Sequence, residues 1–147
     1  MNASLKAALA ALPHGPEFRF IDRLLNLEPG KSAVGEYLVR DDEPFLRGHF
    51  PGEPLFPGVL LIEAAAQLAG IVAQCDPQIP SLSGLKLTAL RNIKIVGSAK
   101  PGQVIRIEAR ITGRLDNLVQ AEVNAYLQEE MLMQGTVALS GESARCA

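Results

Sequence analysis

Gly48-His49-Phe50-Pro51-Gly52-Glu53-Pro54-Leu55-Phe56-Pro57-Gly58-Val59-Leu60-Leu61-Ile62-Glu63-Ala64-Ala65-Ala66-Gln67 is the stretch whose reading decides the fold. It begins as a loop punctuated by proline and glycine that carries one histidine. It continues as an apolar run that carries one carboxylate. Between Glu53 and Asp76 the only charged side chain is Glu63. Low-dielectric surroundings disfavour an ionised carboxylate, so a lone glutamate there needs a reason. Acid–base chemistry shared by His49 and Glu63 is one such reason. A structural hydrogen bond for Glu63 and plain solvation for His49 are the alternatives.

Outward from this stretch, Pro57 suits the first helical position, where a missing N–H costs nothing. The run to Cys75 is therefore predicted as one helix, ended by Asp76-Pro77. Helical spacing places Val59, Ile62, Glu63, Ala66, Gln67 and Gly70 on one side. The small residues Ala66 and Gly70 leave room beside Glu63 for a second backbone or a substrate. A histidine near the start of a helix adds a further element, because first-turn N–H groups can bind developing negative charge. Pro54 to Cys75 also approaches the length of a membrane span. Glu63, Gln67 and Gln74 inside it and the lack of flanking basic clusters favour a buried core helix instead.

Upstream, residues 4–11 are predicted as a short amphipathic helix, with leucines at 5, 9 and 12. Leu12-Pro13-His14-Gly15-Pro16 breaks regular structure. Phe18–Leu25 and Ser32–Val39 read as strands joined by a turn at Glu28-Pro29-Gly30-Lys31. Downstream, Leu82–Leu90, Ile93–Val96 and Met131–Ser140 read as strands. Ile105, Ile107, Ala109 and Ile111 alternate with polar residues, as do Val119, Ala121, Val123 and Ala125, so two further strands are half-buried. The tail from Gly141 is expected to fray. The fold class is α+β: an antiparallel sheet wrapped around one long central helix, in a single domain spanning 1–147. A helix apolar on every face needs cover on every face, and a second subunit can supply what the sheet does not.

Composition excludes several functions. With 147 residues and 48% hydrophobic content the chain can bury a core. A net charge of −2 gives no basic excess for nucleic acid. Cys75 and Cys146 form neither a disulfide framework nor a metal motif, which points to reduced thiols in the cytoplasm. With His14 and His49 they show no zinc-ligand spacing. A secretory signal would need a longer apolar segment than the N-terminus offers.

The pattern Gly48-His49-Phe50-Pro51-Gly52-x-Pro54-x-x-Pro57-Gly58-Val59-Leu60-x-x-Glu63-Ala64-x-Ala66-Gln67 resembles the signature of the 3-hydroxyacyl-[acyl-carrier-protein] dehydratase family, in the branch with glutamate on the central helix. Leu12-Pro13-His14 and Ile21-Asp22-Arg23 resemble that family's opening segment. The resemblance implies the hotdog fold and a homodimer, with trimers of dimers as the larger assembly. It implies shared active sites, combining histidine from one subunit with glutamate from the other. On matching positions, His49 would remove the C2 proton, Glu63 would assist departure of the C3 hydroxyl, and the Gly58 N–H would polarise the thioester carbonyl. No metal or organic cofactor is implied. The substrate would arrive on the phosphopantetheine arm of an acyl carrier protein, with Arg91, Lys94 and Lys100 as candidate contacts and surface solvation as the alternative for each.

The sequence departs from the family pattern at Gly15-Pro16-Glu17, Leu90-Arg91, Lys94-Ile95, Gly97-Ser98 and Gln103. Two other readings compete. A hotdog thioesterase would use the helix carboxylate to activate water and would not need the histidine loop. A non-catalytic acyl-binding or partner subunit would need neither His49 nor Glu63.

Overall fold

The computed structural model describes residues 1–143. Helix α1 (Ala3–Ala10) leads into a 3-10 turn at Pro16–Phe18 and the hairpin β1 (Arg23–Glu28) and β2 (Ser32–Leu38). A second 3-10 turn, Pro44–Arg47, precedes the central helix α2 (Gly58–Gln74). Four strands follow: β3 (Leu82–Ile95), β4 (Val104–Leu115), β5 (Leu118–Leu127) and β6 (Glu130–Ser143). All six strands form one antiparallel sheet in the order β1-β2-β4-β5-β6-β3. This is the α+β arrangement expected from the sequence, with α2 lying against the sheet.

The packing follows from two periodicities. On α2, Leu61, Ala64, Ala65, Leu68, Ala69 and Val72 are buried, and the alanines let the backbone approach the strands closely. On the sheet, Ile105, Ile107 and Ala109 of β4 and Val119, Ala121, Val123 and Ala125 of β5 are buried, the alternation of a half-covered sheet. Fully burying one such aliphatic side chain stabilises the fold by roughly 1.5–3 kcal/mol. Arg114 of β4 donates to the carbonyls of Ala73 and Pro80, at 2.9 and 3.1 Å. A cation at that place complements the negative end of the helix dipole.

Several boundaries differ from the expectation. The strand starts at Arg23 rather than Phe18: the Phe18 carbonyl and the Phe20 N–H pair with Gln67 of α2, and only at Asp22, whose N–H donates to the Glu36 carbonyl at 2.7 Å, does the segment reach β2. The two strands expected between Leu82 and Val96 are a single β3. Register shifts between Ser83 and Lys86, Leu87 and Ala89, and Arg91 and Lys94 let it bend without breaking, and Asn92 takes a left-handed conformation that asparagine tolerates. Pro57 is the N-cap rather than the first helical residue. Gly141–Ser143 belong to β6, paired with Leu82 and Ser83, rather than to a frayed tail. The rest of that tail, with Cys146, lies outside the described residues. Among the described residues no helix is long and apolar enough to cross a membrane.

Candidate active site

The loop that carries His49 is shaped by its own sequence. Phe50-Pro51-Gly52-Glu53 is a tight turn closed by Glu53 N–H donating to the Phe50 carbonyl at 2.9 Å. Pro51 occupies the second position and Gly52 the third, with φ of +77°, the combination a type II turn demands. The turn reverses the chain so that Leu55 returns alongside His49. Leu55 N–H donates to the His49 carbonyl at 2.7 Å, and Nδ1 of His49 lies 2.9 Å from the Leu55 carbonyl. A carbonyl only accepts, so Nδ1 carries the hydrogen and Nε2 is left with a free lone pair. The imidazole stacks on Phe50, ring centroids 4.1 Å apart.

Beneath the loop, Phe20, Tyr37, Phe45 and Phe56 form an aromatic cluster with centroid separations of 5.4–6.3 Å. Phe56 is buried in it, and its N–H donates to the Ala99 carbonyl at 2.8 Å. The loop is therefore anchored at the point where it enters α2. Tyr37 donates to Glu43 Oε1 at 3.2 Å, and burial together with that carboxylate pushes its hydroxyl well above the usual tyrosine range.

At the start of α2 no side chain caps the helix. In the first turn the Leu60 N–H donates to the Pro57 carbonyl at 2.9 Å, whereas the Gly58 N–H has no intrahelical acceptor. A Cβ added at Gly58 would lie 3.1 and 3.2 Å from Cδ1 and Cγ2 of Ile95. Glycine thus fits this corner where a larger residue would press on Ile95. Ile95 is one of the positions where the sequence departs from the family pattern.

Glu63 sits one and a half turns further along. Its side chain retains 22% exposure, because it opens onto a cavity instead of the apolar core. The cavity, about 650 Å³, runs between α1, α2 and β3. Glu63, Ala66, Gln67, Gly70, Ile71 and Gln74 form its helical wall. At a 1.5 Å rise per residue, Glu63 to Gln74 spans about 16 Å. Of the side predicted from helical spacing, Glu63, Ala66, Gln67 and Gly70 face this space. Ile62 is buried and Val59 is 68% exposed at the helix start.

Spacing alone puts Gln67 on this side, but its function is visible only in three dimensions. It is 2% exposed, a fully buried amide. Its Oε1 accepts from Phe20 N–H at 2.9 Å, and its Nε2 donates to the Phe18 carbonyl at 2.8 Å and to Glu63 Oε2 at 3.0 Å. The amide imitates a strand for the Phe18–Phe20 segment and grips the carboxylate with its second hydrogen. His14 is a further neighbour, its Nε2 3.4 Å from Glu63 Oε2. Arg19 holds the backbone that carries it, donating to the carbonyls of His14 and Leu12, both at 2.7 Å. The signal available in the sequence is the Leu12-Pro13-His14 segment, too far from Glu63 in the chain for spacing to connect them.

His49 does not line the cavity that holds Glu63. Arg91, Lys94 and Lys100 are exposed, and Arg91 donates to Gln120 Oε1 at 2.7 Å. Among the described residues no three His, Cys, Asp or Glu side chains gather as a metal site. Cys75 is a free thiol at the far end of the cavity, and burial pushes its pKa up.

Comparison with known proteins gives this geometry its context. A family model described as a FabA-like domain matches residues 12–136. The 3-hydroxyacyl-[acyl-carrier-protein] dehydratase FabZ of Clostridioides difficile is 35% identical over 124 residues, covering 84% of this chain and 87% of that protein. FabZ of Syntrophotalea carbinolica is 35% identical over 139 residues, 91% of each chain. Among solved structures, the dehydratase heterocomplex ApeI:P from Xenorhabdus doucetiae matches with a TM-score of 0.76 over 90% of this chain and 89% of that one. At 18% identity that likeness speaks for the hotdog fold alone. The family match and the FabZ relatives each cover most of the chain, and the chain belongs to the FabA-like family, among the 3-hydroxyacyl-[acyl-carrier-protein] dehydratases.

Proposed function

We propose that the protein removes water from 3-hydroxyacyl thioesters carried on acyl carrier protein, giving trans-2-enoyl thioesters in fatty-acid or related lipid synthesis. The observation that carries this reading is the Glu63 carboxyl, gripped on one oxygen and opening onto a long, largely apolar cavity. The acyl chain lies along α2 from Glu63 toward Gln74. Nε2 of His49 takes the C2 proton, and the electrons of that bond form the C2–C3 double bond. The C3–O bond breaks toward oxygen, which receives a proton from Glu63 and leaves as water. His49 ends with one proton more and Glu63 with one fewer, and exchange with solvent restores both. The Gly58 N–H meets the negative charge that develops on the thioester oxygen. Acid, base and N–H donor complete the elimination without a metal or organic cofactor.

His49 and Glu63 belong to different halves of one site in this reading, each completed by a second copy. Support comes from the absence of His49 from the Glu63 cavity and from the edge position of β3. An open edge strand offers unpaired backbone groups to another chain. Exposed Phe50, Val59, Leu90, Ile95 and Val96 supply apolar surface on that strand and on the segments flanking it. A trimer of dimers, carrier contacts through Arg91, Lys94 and Lys100, and a cytoplasmic location belong to the same proposal.

The test is turnover of a 3-hydroxyacyl carrier thioester, followed by mass spectrometry for loss of water. Wild type is expected to lose water, and His49→Ala and Glu63→Gln are not. Mixing and refolding the two variants together should restore about a quarter of wild-type activity, because half the random dimers hold one intact site of two. Release of free hydroxyacid would favour the thioesterase. An unchanged thioester would favour the non-catalytic subunit.

A further inference from the structure

The second grip on Glu63 is His14, which the elimination does not use. Two contacts converge on one carboxylate atom: Oε2 lies 3.0 Å from Gln67 Nε2 and 3.4 Å from His14 Nε2. The orientation of Gln67 is fixed by its own partners. Phe20 N–H can only donate, so the atom it meets is the amide oxygen, and the amide nitrogen faces Glu63. Oε2 is therefore an acceptor on that side.

The tautomer of His14 follows from similar reasoning. Its Nδ1 is shut off from solvent and has no hydrogen-bond partner among the described residues. A hydrogen on Nδ1 would leave an orphaned buried N–H and would turn a bare Nε2 lone pair toward Oε2, two unfavourable contacts at once. A hydrogen on Nε2 removes both. The hydrogen of the neutral ring thus belongs on Nε2, which faces Glu63 Oε2 at 3.4 Å, slightly beyond ordinary hydrogen-bond range. The position of the ring is not left to chance, since Arg19 clamps the backbone on both sides of Pro13 and Phe18 stacks 6.3 Å from the ring.

We propose that His14 is a positioning residue for Glu63: as the Nε2–H tautomer it donates to Oε2 beside Gln67, so that the transferable proton sits on Oε1. An oxygen receiving two N–H groups acts as the carbonyl oxygen of the acid, and the hydroxyl falls to the other. Oε1 is then the atom that meets the leaving hydroxyl. This rests on the dehydratase reading for its consequence in catalysis, though the contact itself does not.

Two measurements test it. In steady-state dehydration, His14→Ala should lower kcat on the order of tenfold or more with KM within about twofold, the effect of a misplaced acid on an otherwise intact binding site. His14→Gln, whose amide N–H reaches as far as Nε2, should recover most of that loss. An unchanged kcat, a loss confined to KM, or a glutamine variant no better than alanine would overturn the proposal. Separately, nitrogen NMR of the neutral imidazole should show hydrogen on Nε2 and a bare Nδ1. The chain has two histidines, so the His14 signals are identified by their absence from the His14→Gln spectrum. A hydrogen on Nδ1 would overturn the contact. If wild type releases no water, the dehydratase reading fails while the tautomer still decides whether His14 donates to Glu63.

Discussion

Replacing Gln67 by leucine removes three hydrogen bonds while nearly preserving volume. The Phe20 N–H is buried and has Gln67 Oε1 as its acceptor, so its loss carries the full penalty of an unsatisfied donor, about 1–3 kcal/mol. The Phe18 carbonyl and Glu63 Oε2 are part-buried and can recover some water, so each adds less. The sum is about 3 kcal/mol. For a domain of this size each kcal/mol moves Tm by roughly 3 °C, giving a fall of about 10 °C. The assay is urea and thermal unfolding followed by far-ultraviolet circular dichroism at fixed protomer concentration, because subunit association would otherwise enter the comparison. Activity of the folded protein at low temperature should fall as well, since Glu63 loses an orienting donor. Gln67→Glu separates the two effects. It keeps an acceptor for Phe20 but offers no hydrogen to Phe18 or Glu63, so it should cost activity at least as severely as leucine. A leucine variant within about 1 kcal/mol of wild type, the range of a volume-conserving apolar exchange, would refute the reasoning that the amide acts as a surrogate strand.

Other expectations follow from the loop and the helix start. Gly52→Ala meets no neighbour within 4 Å but forces a side chain into φ of +77°, so stability should fall by about 1–2 kcal/mol from backbone strain, measured by urea unfolding. Gly58→Ala should lower kcat while leaving Tm within a few degrees, and Ile95→Ala combined with it should restore part of the loss by clearing the Cβ contact at 3.1–3.2 Å. Phe56→Ala empties the middle of the aromatic cluster and should destabilise by about 3–5 kcal/mol in the same unfolding assay. Burial holds the Cys75 thiol above its ordinary pKa, so the reactive thiolate is scarce at neutral pH and grows as pH rises. Alkylation of Cys75, read by peptide mass spectrometry, should be slower than that of a free cysteine peptide near neutral pH and should accelerate into the alkaline range.

The elements that could be read from the chain are those whose periodicity is local. The apolar run from Gly58 marks α2 to within a residue, and the alternations around Ile105–Ile111 and Val119–Ala125 mark β4 and β5. The failures occur where tertiary partners override local pattern. Phe18–Asp22 has strand-like residues, yet Phe18 and Phe20 pair with Gln67 across 49 and 47 positions of sequence, which no window detects. Bulges keep β3 whole where a break is expected at Asn92. In the site, His49 and Glu63 stand out because each is polar in an apolar or tightly punctuated setting. His14 and Gln67 do not announce their roles, because those roles consist of distances to Glu63. The expected apolar burial of Glu63 is also incomplete, since sequence cannot show that the helix borders an open cavity.

The Gln67 amide joins two properties that proteins often keep apart. Its oxygen and one N–H dock the Phe18–Phe20 segment onto the helix, and its other N–H holds the carboxyl. A fluctuation that peels the N-terminal segment away therefore also releases Glu63 and carries off His14. If Glu63 is the acid proposed above, local opening of residues 12–20 disarms it without any strand of the sheet having to part, and hydrogen exchange at the Phe20 amide measures that opening.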